Sequence, residues 1–248
     1  MPVVAIEGYL GSGYQTIGRS VAEKLGIDFV DRVILSEIAK EMDKHLAEIV
    51  DLQTKPEEKS FTQRITDGLL GALEKSALSG GGADPFFGHG IENLLSSPYK
   101  DFPHKEDLVE NLDFTNAIKK VITEIAKQGS VLILGRGASG VLRNDERALK
   151  VGIYCDFDIR IKKYAQREGI TEEESRKKIL EYDEGKKNYY LNIFQKQPLD
   201  PSIFNIIFNS ELLPEQEIIR NLNSVFESLS VIYVQLKNRS ILIPNVLT

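Results

Sequence analysis

The sequence predicts an α/β protein built on a doubly wound parallel sheet. Three observations predict it. Short apolar, β-branched runs at residues 3–6, 27–30, 131–134, 151–154 and 205–209 alternate with stretches of helical periodicity. The first run stops in glycines that lead directly into a helix, and the third, Val131-Leu132-Ile133-Leu134, is apolar throughout, as a central parallel strand covered on both faces requires.

Taken in order, residues 3–6 form the first strand and Ile17, Val21, Ala22 and Leu25 repeat at helical spacing until Gly26. Residues 27–30 form a second strand, and Val33, Ile34, Ile38 and Ala39 continue as an amphipathic helix into the forties. From about 50 to 112 the pattern loosens around Gly80-Gly81-Gly82, Pro85, Pro98 and Pro103, which predicts a partly helical, mobile insertion. Periodicity returns with Ala117, Ile118, Val121, Ile122 and Ile125, and leads into the strand at 131–134. Beyond the strand at 151–154 lies a strongly charged helical region from about 158 to 190. The strand at 205–209 and a long helix starting near Pro214 complete the chain as one domain, with its core at about 1–48 and 114–248.

Composition narrows the partners. Over 248 residues, 31 Lys and Arg face 37 Asp and Glu, a net charge of −6 that disfavours nucleic acid. Cys155 is the single cysteine, so no internal disulfide forms, and with His45, His89 and His104 it shows no zinc spacing. The opening Met-Pro-Val-Val-Ala-Ile-Glu has no basic region of a signal peptide, and no apolar run approaches the ~18 residues of a membrane span. These features fit a cytoplasmic chain without a membrane partner.

Two motifs carry chemistry. Gly8-Tyr9-Leu10-Gly11-Ser12-Gly13-Tyr14-Gln15-Thr16 lies between the first strand and the first helix, where backbone N–H groups and the helix N-terminus attract phosphate. Gly8 and Gly13 have the spacing of G-x-x-x-x-G-K-[ST], but Tyr14 stands in the lysine slot. A dinucleotide turn would need glycine where Thr16 stands, so an NAD(P)-dependent oxidoreductase is a remote alternative, supported only by the spacing of Tyr182 and Lys186. The second motif, Gly135-Arg136-Gly137-Ala138, places Arg136 at the carboxyl end of a central strand, the edge along which open α/β sheets bind ligands, with a planar fork suited to an anionic oxygen. Asp31, just after the second strand, either faces a substrate or caps the next helix.

In order along the chain, Gly11-Ser12-Gly13, Ile17-Gly18-Arg19, Asp31-Arg32, Gly135-Arg136-Gly137-Ala138, Leu142-Arg143, the segment 160–169, Asp183, Tyr189-Tyr190 and Asn209 resemble the bacterial cytidylate kinase-like family. The resemblance covers roughly residues 3–40 and 114–225. It implies a P-loop nucleoside monophosphate kinase: a five-stranded parallel core, a nucleotide-binding insertion and a lid at about 160–195. It further implies ATP on Gly8, Gly11, Ser12, Gly13, Tyr14, Gln15 and Thr16, with Mg²⁺ held mainly by phosphates and water. CMP or dCMP would lie beside Asp31 and Arg136, and Arg160, Arg167 and Lys186 would be the catalytic basic groups of the lid. Cytidylate kinases proper have lysine where Tyr14 stands and aspartate where Gly137 stands, so a nucleotide-binding protein without turnover is the alternative.

Overall fold

The computed structural model describes residues 3–32, 34, 35 and 108–241, with side chains over 3–32, 34, 35 and 118–229. Five strands form one parallel sheet in the order β2-β3-β1-β4-β5: β1 Val3–Gly8, β2 Asp28–Val30, β3 Val131–Leu134, β4 Ala148–Tyr154 and β5 Ile206–Asn209. Six helices accompany them among the described residues: α1 Tyr14–Leu25, α2 Leu108–Gln128, α3 Ala138–Val141, α4 Phe157–Glu168, α5 Glu172–Phe194 and α6 Glu215–Ile241.

Strand periodicity sorts the core into two layers. Val3 and Ala5 of β1 join Val131 and Ile133 of β3 beneath Ile118, Val121, Ile122 and Ile125 of α2 and Tyr189 and Tyr190 of α5. Val4 and Ile6 turn to the other face, with Leu132, Leu134, Ile17 and Val21 of α1, and Ile218, Leu222 and Phe226 of α6. Fully burying each large aliphatic side chain contributes about 1.5–3 kcal/mol. A sheet covered on both faces explains why its strands read as unbroken apolar runs.

Several element boundaries differ from the sequence reading. The first helix starts at Tyr14 rather than 17, because Gly13, at φ 82°, serves as its N-cap. β4 starts at Ala148, three residues earlier than expected, and takes in Lys150; the lysine's stem lies along the sheet while Nζ donates to the Asp145 carbonyl at 3.2 Å. The charged region at 158–190 is two helices. Gly169 ends α4 at φ 65°, and Thr171 and Glu174 open α5 with a reciprocal capping box. α2 begins at Leu108, inside the expected insertion. The rest of that insertion, including the glycine run at 80–82, lies outside the described residues. Among the described residues no helix is long and apolar enough to cross a membrane.

Candidate functional site

The glycine turn joins β1 to α1 at the carboxyl edge of the sheet. Gly11 and Gly13 hold left-handed φ values of 84° and 82°, and the Ser12 N–H donates to the Tyr9 carbonyl at 3.0 Å. A methyl group on Gly8 would lie 2.5 Å from Tyr14 Cβ and 2.7 Å from Ser12 Oγ, so the turn closes only around glycine. Ser12 is fully buried, and its carbonyl accepts from Ser210 Oγ at 2.7 Å, tying the turn to the segment after β5.

The helix behind this turn is unlike α4 and α5. Asp156 caps α4 by accepting from the Asp158 N–H at 3.0 Å, and Thr171 caps α5 by accepting from Glu174 at 3.2 Å. α1 has no side-chain cap and no acid in its first turn. Its orphan N–H groups and the positive end of its dipole therefore face the turn.

A cavity of about 650 Å³ opens there, lined on one side by Tyr14, Gln15 and Thr16. Four arginines, Arg19, Arg32, Arg136 and Arg167, are among the residues that line it, beside the acids Glu23 and Asp31. In a chain of net charge −6 that is a local reversal of sign, suited to an anionic ligand.

Arg136 is 3% exposed. It sits at φ 61° between Gly135 at 77° and Gly137 at 71°, three successive left-handed residues. Such a conformation costs a non-glycine residue about 1–3 kcal/mol and persists where the surroundings impose it. Here Tyr189 Oη donates to the Arg136 carbonyl at 2.7 Å, and a methyl group on Gly137 would lie 2.7 Å from the Phe194 ring. Burial pushes the Tyr189 phenol well above its ordinary pKa, so it stays a donor.

Asp31 caps the turn that follows β2, accepting from the Ile34 N–H at 3.1 Å. Its second oxygen lies 3.6 Å from Arg19 Nη2. Arg19 in turn lies over the Phe29 ring at 4.9 Å. Arg167 lies over Tyr164 at 5.1 Å and donates to Gln15 Oε1 at 3.2 Å, and all three residues line the cavity.

The other two basic groups expected to act from a lid lie elsewhere. Arg160 is held by Asp183 through bonds of 3.1 and 2.6 Å and donates to the Leu10 carbonyl at 3.1 Å. It is sandwiched between Tyr9 at 4.9 Å and Phe157 at 5.4 Å. Burial pushes the Asp183 carboxyl up, with Arg160 opposing it. Arg160 faces a second cavity of about 350 Å³ behind the turn. Lys186 is fully buried, its Nζ 2.9 Å from Glu7 Oε2 and 2.7 Å from the Gly8 carbonyl.

The structure thus gathers Tyr14, Gln15, Thr16, Asp31, Arg136 and Arg167 around one cavity and sets Arg160 and Lys186 against the outer side of the turn. Tyr182 and Lys186 are drawn to different partners, Tyr182 Oη lying 3.1 Å from Tyr14 Oη. Sequence reasoning missed Glu7 and the role of Tyr182. Their partners are 179 and 168 residues away, and no local pattern announces either pairing.

Comparison with known proteins places the chain in a family. A family model described as the cytidylate kinase-like family matches residues 3–212. A cytidylate kinase of Methanopyrus kandleri is 27% identical over 128 residues, covering 48% of this chain and 66% of that protein. One of Pyrococcus horikoshii is 36% identical over 87 residues, covering 35% of this chain and 44% of that protein. The chain therefore spans between about half and two thirds of the length of these relatives. A crystal structure of an uncharacterized protein from Eubacterium ventriosum superposes with a TM-score of 0.56 at 16% identity, over 92% of this chain and 99% of that one, and shares the fold. The parallel sheet with a glycine turn between β1 and α1 is a P-loop NTPase-type fold. The family match runs through all five of its strands and past both the turn and Arg136, and the chain belongs to the cytidylate kinase-like family.

Proposed function

We propose that this protein is a nucleoside monophosphate kinase that transfers a phosphoryl group from ATP to CMP or dCMP. The observation that carries the reading is the α1 N-terminus: no side chain caps it, and two left-handed glycines precede it where it meets a cavity lined by four arginines. The polyphosphate of ATP lies on Gly8, Gly11, Ser12, Gly13, Tyr14, Gln15 and Thr16. The acceptor phosphate lies at Arg136, which follows β3 in a left-handed turn and lines the same cavity as the α1 N-terminus.

Among the described residues no three His, Cys, Asp or Glu side chains gather to hold a metal ion. A Mg²⁺ ion that arrives on a nucleotide needs only one or two protein oxygens besides phosphates and water, and the exposed hydroxyl of Thr16 at the end of the turn fits that demand. Mg²⁺ supplies charge neutralisation to the phosphates when bound. The chain's own part is to align donor and acceptor and to stabilise the moving charge, which is the greater part of phosphoryl transfer. Arg136 orients the acceptor. Arg167, which donates to Gln15 and pairs with Glu168, lines the same cavity and is the candidate to stabilise the moving charge.

One observation favours a second reading, a nucleotide-binding protein without turnover. Tyr14 occupies the lysine slot, is 5% exposed, and has its hydroxyl against Tyr182. Both readings are tested by following ADP formation from ATP with each ribo- and deoxyribonucleoside monophosphate, beside calorimetric titration of ATP. Turnover fastest with CMP or dCMP is the expected result. Binding without turnover selects the second reading, and absence of binding removes both.

A further inference from the structure

Three side chains of α5, spaced by one and three residues, reach the glycine turn. Tyr182 meets Tyr14, Asp183 holds Arg160 against the Leu10 carbonyl, and Lys186 donates to the Gly8 carbonyl. Of these, Lys186 is the most enclosed. Its ammonium has no exposure, pairs with the equally buried Glu7, and lies among the rings of Tyr9, Tyr14 and Tyr190 at 5.9, 5.7 and 5.6 Å.

A buried ion pair gains little net stability from its charges, since desolvation offsets most of the attraction. Its third partner suggests another use. Gly8 is the first residue of the turn, and a carbonyl pinned toward an ammonium below it cannot swing into the space where the following N–H groups converge. Holding such a carbonyl and placing a positive charge beside the turn are services that a lysine in the slot of Tyr14 would provide from within. Nζ of Lys186 lies 5.7 Å from the ring that fills that slot.

We propose that Lys186 is a positioning residue that stands in, from α5, for the lysine missing from the turn: through the Gly8 carbonyl it keeps the turn shaped for a polyphosphate before any ligand arrives. This rests on the reading of the turn as a phosphate site. Asp183 and Arg160 brace the same turn through Leu10, and Glu7 compensates the charge of Lys186 so that the ammonium stays buried beneath the turn.

The test uses the whole chain and inorganic tripolyphosphate as the probe, with CMP as the control ligand. Glu7→Gln combined with Lys186→Met removes both charges and leaves no buried ion unpaired. It should melt cooperatively, bind tripolyphosphate about tenfold or more weakly, and bind CMP within about twofold of the parent. The same pair of changes in a Tyr14→Lys background should cost less than about threefold, because a lysine then stands in the turn. Unchanged tripolyphosphate affinity in the double variant, or an equal loss in both backgrounds, overturns the proposal. If the Tyr14→Lys chain fails to fold, amide exchange of the unliganded double variant decides. Faster exchange confined to residues 9–14, with β4 unchanged, supports the stand-in, and unchanged exchange there refutes it. A parent that binds no tripolyphosphate refutes instead the phosphate reading of the turn.

Discussion

The phenol of Tyr189 holds the backbone carbonyl of Arg136 at 2.7 Å, and that one bond joins the last turns of α5 to the left-handed residue at the end of β3. Tyr189→Phe should remove this bond and cost about 0.5–1.5 kcal/mol of stability in denaturant titration. Arg136→Ala should weaken CMP binding by about 1.5–3 kcal/mol and leave ATP binding nearly unchanged. Arg136→Lys should recover only part, because the charge remains without the fork. Parental CMP affinity in Arg136→Ala would place the acceptor elsewhere.

The glycines offer an internal control. Gly11 and Gly26 both have positive φ, but a methyl group on Gly11 would lie 2.6 Å from the Arg160 carbonyl, whereas nothing lies within 4 Å of one on Gly26. Gly26→Ala should therefore cost about 1 kcal/mol of backbone strain, and Gly11→Ala clearly more. Gly13→Ala would drive a methyl group into the Glu215 carboxylate and should reduce ATP affinity before CMP affinity. Equal melting temperatures for the Gly11 and Gly26 variants would show that the turn has room to relax.

Asp183 is the partner whose loss exposes the role of Arg160. Asp183→Asn leaves a guanidinium 6% exposed without its carboxylate, a change that typically costs about 3–5 kcal/mol. Thermal melts of Asp183→Asn and the parent measure it directly. A loss well under 1 kcal/mol would mean that Leu10, Tyr9 and Phe157 suffice to hold Arg160.

Arg167→Ala should slow turnover about a hundredfold while changing ATP binding little, since its part is to stabilise the moving charge. Steady-state kinetics with CMP separates the two effects. A rise in KM for ATP with kcat unchanged would reassign Arg167 to ordinary binding.

Acid sensitivity follows from Asp145, whose carboxylate accepts from Arg147 at 2.9 and 2.6 Å. The guanidinium holds this carboxyl below its ordinary pKa. Because the folded value is the lower one, the group stabilises the fold above the ordinary carboxylate pKa. That contribution is lost as pH falls through the depressed value. Asp145→Asn should melt below the parent at neutral pH and converge on it in strong acid. A constant gap across that range would mean that the effect is packing.

The sheet was legible because β1, β3 and α1 obey local rules: alternation onto two covered faces, and glycines at both ends of the helix. The tight turn at Arg136 was legible for the same reason, since glycines on both sides of a residue at a strand end mark left-handed backbone. The break between α4 and α5 was written in Gly169, Thr171 and Glu174 as a stop signal and a capping box, although charge density alone read as one region. Glu7 was opaque. An acid closing a strand reads as solvated, and only a lysine 179 residues later takes it fully out of water. Arg160 and Lys186 were read as lid charges because sequence shows the sign of a side chain and not which surface it meets. Asp31 did resolve one of its two readings, as a cap for Ile34 that also faces the cavity.

The sheet order also sets a timetable for synthesis. β1 lies at the centre, yet its neighbours begin at Val131 and Ala148, more than a hundred residues downstream. On the ribosome the Val-Val-Ala-Ile segment must wait, unpaired at both edges, for several seconds at ordinary rates of elongation. Long-range parallel pairing of this kind is slow and exposes sticky strands to neighbouring chains. Glu7 then acts as a gatekeeper: while Lys186 is still untranslated, it is a charge at the end of an aggregation-prone stretch. Glu7→Gln should accordingly lower soluble yield during expression by more than its effect on the melting temperature of the folded protein accounts for.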